Sequence, residues 1–141
     1  MDEKDLYFIA VKLFLEREGK ILIIKDKYGD WDLPGGRVRK SEFGTELEKV
    51  LIRKLSEELG NEIKYTIGKP IVFMRHERQE FDLNKKLVRI FAIGYDGIFK
   101  EEKIQLSPLH TEMKWVSVQE LQTRRLFFRR MVKRCTGIPK N

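Results

Sequence analysis

Apolar residues are concentrated in short runs along most of the chain, and these runs predict β-strands. The runs lie at residues 6–15, 20–25, 71–78, 87–95 and 113–116. The first two flank a Glu-Arg-Glu-Gly sequence that is typical of a turn, so we expect them to pair as a hairpin. The segment 28–36 is rich in Gly and Pro, which predicts a loop without regular structure.

A helical repeat follows this loop. Four leucines recur at every fourth position and form an apolar stripe: Leu47, Leu51, Leu55 and Leu59. Thr45 and Glu48 fit a capping box at the start of the helix, and Gly60 lies where the helix should end.

A second helix is predicted over about 118–136, because Ser117 and Glu120 fit another capping box and apolar residues follow on one side. The strands outnumber the helices and separate them. The sequence therefore predicts an α/β (α+β) fold, with a mixed sheet covered by helices. Its length of 141 residues suits a single domain over 1–141.

Composition narrows the class of protein. With 41% hydrophobic residues the chain can form a core, which excludes disorder throughout. The single cysteine, Cys135, excludes an internal disulfide and a zinc site with several cysteines. No apolar run approaches the ~20 residues of a membrane helix, and acidic residues precede the first run, unlike in a signal peptide. We therefore expect a cytoplasmic protein with no membrane partner.

The net charge of +7 favours anionic partners such as phosphates, nucleotides or nucleic acid. Six basic residues and no acidic one lie between Arg124 and Arg134, inside the second predicted helix. This basic C-terminal helix could contact nucleic acid. Its apolar and charged residues fall on opposite sides, however, which favours an ordinary amphipathic helix packed on the surface.

Two neighbouring carboxylates near the end of the first helix indicate a metal site. Glu57 and Glu58 flank one edge of the leucine stripe, and Glu58 points partly inward, where an unpaired charge is unfavourable. Mg²⁺ prefers oxygen ligands and combines one or two carboxylates with substrate phosphates. Gly35 and Gly36 have no Cβ, so a backbone carbonyl there can approach the ion. These four residues predict a site for Mg²⁺ (or Mn²⁺).

The same residues resemble the signature of the Nudix (MutT-like) hydrolases. Gly36, five further residues and Glu42 open the signature, and Arg53, Leu55, the Glu57-Glu58 pair and Gly60 close it. Trp31 to Gly36 resembles the usual lead-in, and Trp115-Val116 with Glu120-Leu121 resembles a late strand and helix of that fold. The resemblance implies an α/β/α sandwich with a central mixed sheet. It also implies Mg²⁺-dependent hydrolysis of a phosphoanhydride in a nucleoside diphosphate linked to another moiety, such as a nucleoside triphosphate or an ADP-ribose-like compound.

This chain departs from the family pattern at two places. Ten residues separate Glu42 from Arg53, where the family has seven. The pairing partner of Arg53 is therefore open between Glu42, Glu46 and Glu48.

The second departure is Lys54, which stands where the family has the first glutamate of the helix. It lies at the i,i+3 and i,i+4 spacings from Glu57 and Glu58, so its ammonium can contact both carboxylates. Our hypothesis is that Lys54 substitutes for one cation. The alternatives are a lysine turned to solvent beside a depleted metal site, and a module that binds nucleotide or RNA without cleaving it.

The resemblance also implies roles for individual residues. Glu58 or Glu112 would accept the proton of the attacking water, because the family often supplies a carboxylate from a late loop, and His110 could orient Glu112. The alternative is that Glu112 is an ordinary surface residue and that His110 has a structural role. Arg37, Arg75 and Arg89 are candidates for binding substrate phosphates, although Arg75 and Arg89 could instead pair with Glu77 across strands. The partner is then a small nucleotide, with RNA binding and a homodimer left open.

Overall fold

The computed structural model describes residues 2–26, 29–80, 86–101, 104–117 and 119–120. These residues form seven strands, one α-helix and a short 3₁₀ turn at Lys40–Glu42. The strands are β1 (Phe8–Arg17), β2 (Lys20–Asp26), β3 (Trp31–Asp32), β4 (Gly35–Arg37), β5 (Lys64–Glu80), β6 (Lys86–Glu101) and β7 (His110–Val116). The helix α1 is Leu47–Leu59.

The sheet is mixed, as predicted, and β1 is its central strand. It pairs in parallel with β6, from Phe8 opposite Ile90 to Glu16 opposite Ile98, and β6 pairs antiparallel with β5. The hairpin of β1 and β2 also forms, with Glu18 and Gly19 at positive φ in its turn. Beyond the turn β2 leaves β1 and pairs antiparallel with β7 and β3.

The Gly- and Pro-rich segment is more regular than the sequence predicts. It contains β3 and β4, and β4 pairs antiparallel with Ala10–Lys12 of β1. The composition of the segment does not reveal this, because the hydrogen bonds come from strands that are distant in sequence. As a result the Gly-Gly pair lies against the middle of the sheet.

Helix α1 has the predicted phase and end but a different start. Its leucine stripe packs on one face of the sheet with Leu51, Leu55 and Leu59 fully buried, each stabilising the fold by about 2 kcal/mol. Gly60 ends the helix at φ +87°. The N-cap is Glu46, not Thr45, and no side chain caps this end. The predicted Thr45 capping box is wrong.

The opposite face of the sheet carries its own buried apolar cluster, which includes Ala10, Phe14, Val72 and Ile90. The predicted capping box after β7 is present, since the Glu120 N–H donates to Ser117 Oγ at 3.2 Å. The rest of the helix predicted over about 118–136, which would supply the second helical layer of the predicted sandwich, lies outside the described residues. Among the residues described, no helix has the length and apolar composition to cross a membrane.

Candidate active site

A cavity of about 490 Å³ lies where α1, β4 and the middle of β1 meet. Its polar lining includes Lys12, Asp32, Arg37, Lys54, Glu58 and His110, together with the backbone of Gly35 and Gly36. Three of the four residues predicted for the metal site, Gly35, Gly36 and Glu58, are therefore brought together, although Glu58 is separated from the glycines by more than twenty positions in the chain.

Gly35, the first residue of β4, packs tightly against the backbone of β1. Its φ is +138°, and a Cβ there would overlap the Val11 carbonyl oxygen and lie 2.8 Å from Lys12 Cα. Only glycine fits this backbone against β1. The Gly35 N–H donates to Glu58 Oε1 at 2.7 Å, so the same residue connects the central strand to the end of α1.

Glu58 is a buried carboxylate, with only 5% of the residue exposed. Burial raises the pKa of Glu58 to about 7, although the charge of Lys12 and the Gly35 hydrogen bond oppose this shift. Its second oxygen, Oε2, lies 3.4 Å from His110 Nε2. The carboxylate is thus contacted from two sides, and the charges of Lys12 and Lys54 offset only part of the burial that opposes its ionisation.

His110 is positioned by the loop before β7. The Gln105 and Ser107 N–H groups donate to the last carbonyls of α1, those of Leu59 and Glu58, at 2.9 and 3.0 Å. The Ser107 hydroxyl lies 2.7 Å from His110 Nδ1. Burial, with the nearby Lys54 charge, lowers the pKa of His110, so the ring is neutral at pH 7. A hydroxyl donating to Nδ1 leaves the Nε2–H facing Glu58.

Glu57 is more exposed and already surrounded by cations. Its Oε1 accepts from Arg39 and Arg53, both at 3.0 Å, and its Oε2 lies 3.5 Å from Lys54 Nζ. Burial works against ionisation, but the Arg53 hydrogen bond and the charges of Lys54 and Arg39 outweigh it and lower the pKa of Glu57. The two adjacent glutamates therefore differ: Glu57 is partly exposed with a lowered pKa, and Glu58 is buried with a raised pKa.

Arg53 pairs with Glu42, which settles the alternatives left open by the sequence. Arg53 Nε and Nη2 donate to the two oxygens of Glu42 at 2.7 and 2.8 Å. The 3₁₀ turn at Lys40–Glu42 places this carboxylate beside the helix, and the extra residues form a projecting loop in which Phe43 is exposed. The ten-residue spacing therefore does not prevent Glu42 and Arg53 from pairing.

Lys12 and Asp32 are site residues that the sequence reasoning missed. Lys12 lies in the central strand, 8% exposed, and its Nζ donates to Asp32 Oδ2 at 2.8 Å. A signal was available, because Lys12 interrupts the apolar run of β1. A charge at an inward position of a central strand requires a partner.

The NUDIX domain family model matches residues 6–135, which is most of the chain. The chain belongs to the Nudix family. It is a hydrolase.

Solved Nudix structures agree with this fold. The MutT protein from Methanosarcina mazei Go1 is 26% identical, with a TM-score of 0.78, and the match covers 96% of this chain and 97% of that one. An ADP-ribose pyrophosphatase from Streptococcus suis is 15% identical with a TM-score of 0.68, over 96% of both chains. The NUDIX domain of Shewanella oneidensis NrtR, complexed with ADP ribose, is 15% identical with a TM-score of 0.64, over 95% of this chain and 89% of that one. No curated protein sequence matches the chain.

Four predicted residues are not among the residues that line the Nudix cavity: Glu57, described above, and Arg75, Arg89 and Glu112. Arg75 Nη1 donates to the Tyr7 hydroxyl at 3.3 Å. Arg89 pairs with Asp5 and, as the sequence alternative proposed, with Glu77, at 2.6 and 3.0 Å. The Glu112 side chain is 56% exposed, 3.8 Å from Lys25 Nζ. Of the predicted arginines, only Arg37 is among the described residues that line the cavity, where it pairs with Glu80.

The donor set of this Nudix site fits a single hard cation. Glu57 and Glu58 supply carboxylate oxygens, the ligands that Mg²⁺ and Mn²⁺ prefer. The charges of Lys12 and Lys54 do not offset the burial of the Glu58 carboxylate, and a cation beside it would favour its ionised form. Within the described part of the chain, no three His, Cys, Asp or Glu side chains form a metal-binding group. The protein ligands are therefore few, and substrate phosphates would have to complete the coordination.

Proposed function

We propose that this Nudix hydrolase cleaves a phosphoanhydride bond in a nucleoside diphosphate linked to a further moiety, with Mg²⁺ or Mn²⁺ held by Glu57, Glu58 and a backbone carbonyl of Gly35 or Gly36. The observation that carries the proposal is the buried Glu58 carboxylate, fixed to the Gly35 N–H inside a cavity with basic walls. A cavity of this size suits a small molecule.

The charge of the cavity supports a diphosphate substrate. Six lining residues are basic and three are acidic: Lys12, Arg37, Arg39, Arg53, Lys54 and Arg78 against Asp26, Asp32 and Glu58. Arginine suits phosphate oxygens because its planar group donates two parallel hydrogen bonds. Arg37 follows the Gly-Gly pair directly, so we assign it to a substrate phosphate.

The residues of the chain account for the chemistry as follows. A bound Mg²⁺ supplies positive charge that neutralises the diphosphate and favours ionisation of water. Glu58 accepts the proton of the attacking water, whose oxygen bonds to phosphorus while the anhydride P–O bond breaks and its electron pair leaves with the departing phosphate. The His110 Nε2–H, facing Glu58 Oε2 at 3.4 Å, orients the carboxylate. We assign the proton to Glu58 and not to Glu112, which lies beside Lys25.

The substrate class rests on the relatives. The Streptococcus suis structure is an ADP-ribose pyrophosphatase, and the Shewanella domain is complexed with ADP ribose. ADP-ribose and nucleoside triphosphates are therefore the first compounds to test, followed by dinucleotides, nucleotide sugars and capped RNA.

Turnover tests the proposal. The protein is incubated with Mg²⁺ and each compound, and the phosphorylated products are separated by chromatography. We expect metal-dependent cleavage that Glu58→Gln abolishes and Glu112→Gln retains. Tight binding without cleavage of any compound would instead identify a nucleotide-binding module.

Other features of the chain remain predictions. A single domain over 1–141, the basic C-terminal helix, RNA binding and a homodimer are each consistent with the sequence. Light scattering coupled to size exclusion gives the number of chains per particle. Titration with labelled RNA at two salt concentrations tests contacts to the RNA backbone, because such contacts weaken as salt rises.

A further inference from the structure

We propose that the Lys54 ammonium is a fixed cation of the active site, so that the chain binds one divalent ion where an acidic residue at this position would bring a second. The inference rests on the metal assignment of the proposed function. It concerns the number of ions and the way in which the substrate charge is neutralised.

The position of the ammonium is the first observation. Lys54 Nζ lies 3.5 Å from Glu57 Oε2, and the Lys54 side chain lines the same cavity as Glu58. Its side chain is only 29% exposed, which is low for a lysine on a helix surface. The ammonium is therefore held beside the carboxylates assigned to the metal and is not turned to solvent.

The path of the side chain is the second observation. The stem of Lys54 lies directly on the backbone of Gly36, so that a Cβ at Gly36 would overlap Cε and lie 2.8 and 3.0 Å from Cδ and Cγ. Gly36 thus provides the space that the lysine occupies. Packing of the stem against the backbone, together with the Glu57 ion pair, fixes the ammonium in place.

The charge balance around Glu57 is the third observation. Lys54, Arg39 and Arg53 all contact its carboxylate, so this side chain is already neutralised by protein groups. Glu58, in contrast, contacts only the Gly35 N–H and the neutral His110 ring among the described side-chain contacts. One divalent ion can therefore bind at Glu58 and share an oxygen of Glu57, whereas a second ion at Glu57 would be repelled by three fixed positive charges.

A tethered cation also acts without metal. The Lys54 ammonium cannot dissociate from the site, so it can bind a substrate phosphate before any ion is present. We expect the chain to bind a nucleoside diphosphate measurably in the presence of EDTA, through Lys54.

Ion counting tests the proposal. Bound Mn²⁺ is measured by electron paramagnetic resonance with the nonhydrolysable α,β-methylene ADP. We expect one ion per chain in the unmodified protein and in Lys54→Gln, and two in Lys54→Glu. The matched control is Lys49→Glu, the same charge change at an exposed position of α1, which should still bind one ion.

A second measurement does not depend on metal or on the folding of Lys54→Glu. Binding of α,β-methylene ADP in EDTA should weaken about 10-fold or more in Lys54→Gln, the loss expected for a charge-assisted hydrogen bond, and stay unchanged in Lys49→Gln. Two ions in the unmodified protein, one ion in folded Lys54→Glu, or unchanged EDTA binding in Lys54→Gln would each overturn the proposal.

Hydrolysis measured in parallel separates this inference from the proposed function. One bound ion without cleavage would contradict the function and leave the role of Lys54 intact. Cleavage with two bound ions would support the proposed function and contradict the role of Lys54.

Discussion

Arg53 holds Glu42 through two parallel hydrogen bonds, from Nε to Oε2 at 2.7 Å and from Nη2 to Oε1 at 2.8 Å. The same guanidinium donates from Nη1 to Glu57 at 3.0 Å, so one side chain connects the 3₁₀ turn to the end of α1 that we propose to bind metal. Arg53 is therefore a positioning residue for Glu57.

Arg53→Lys should lower the rate of hydrolysis about 10-fold or more, because a lysine cannot make both hydrogen bonds to Glu42 and reach Glu57 as well. Steady-state kinetics measure the change. Arg89→Lys serves as the control, since Arg89 pairs with Asp5 and Glu77 away from the cavity. An equal loss in Arg89→Lys would show that Arg89 does bind substrate, as the sequence proposed.

Glu58 should make the metal-free protein less stable as pH rises. Its pKa is raised from 4.5 to about 7 in the folded state, so the folded protein binds a proton more tightly than the unfolded chain. The free energy of unfolding therefore falls between about pH 4.5 and pH 7, by as much as ~3 kcal/mol. Glu58→Gln removes this dependence, so in EDTA at pH 8 it should be more stable than the unmodified protein.

Urea unfolding at pH 5 and pH 8 measures the difference. The stabilisation by Glu58→Gln should be largest at pH 8 and mostly absent at pH 5. Glu112→Gln, at an exposed carboxylate, should leave the free energy of unfolding unchanged at both pH values. A stabilisation that is the same at both pH values would mean that the Glu58 carboxylate is not perturbed.

Gly35→Ala should destabilise the fold by about 2–4 kcal/mol, because it combines a positive φ with overlap against the β1 backbone. Thermal or urea unfolding measures the change. Gly44→Ala is the matched control, since a Cβ there meets no atom within 4 Å. Its effect should stay within about 0.5 kcal/mol. Similar values for both variants would contradict the close approach of β4 to β1.

His110→Ala should weaken Mn²⁺ binding about 10-fold, since groups that orient a metal-binding carboxylate have effects of this size. Calorimetric titration measures the affinity. Ser107→Ala should give a smaller loss of the same kind, because Ser107 fixes the ring through Nδ1. Unchanged affinity in both variants would show that the His110 contact does not position Glu58.

Local patterns predicted much of this fold and part of the site. The four-residue repeat from Leu47 to Leu59 fixed the phase of α1, and that phase placed Glu58 at the inward edge, where the structure finds it buried. The strand runs were also predictable, because alternation and β-branched residues depend on neighbours in sequence. The lengths of β5 and β6 were underestimated, since their outer ends are only partly apolar.

Contacts between distant segments could not be predicted in the same way. Glu112 was a candidate for the site and His110 was expected to orient it, yet His110 lies beside Glu58 and Glu112 lies beside Lys25. The pairing of β7 with β2 is irregular between Lys25 and Asp26, and such a bulge changes the direction of the next side chain. The partner of Arg53 likewise depends on the path of an inserted loop, which no local pattern specifies.

The parallel pairing of β1 with β6 affects how the chain is made. One edge of β1 remains unpaired until β6 has been synthesised, because Phe8 lies opposite Ile90 and Glu16 opposite Ile98. Its other edge can pair earlier, with β2 and β4. Translation adds about 5–20 residues per second, so this edge of the apolar strand β1 stays unpaired for several seconds. The sheet therefore forms late in translation, and a ribosome-bound chain that stops before β6 should be a substrate for chaperones that bind exposed strands.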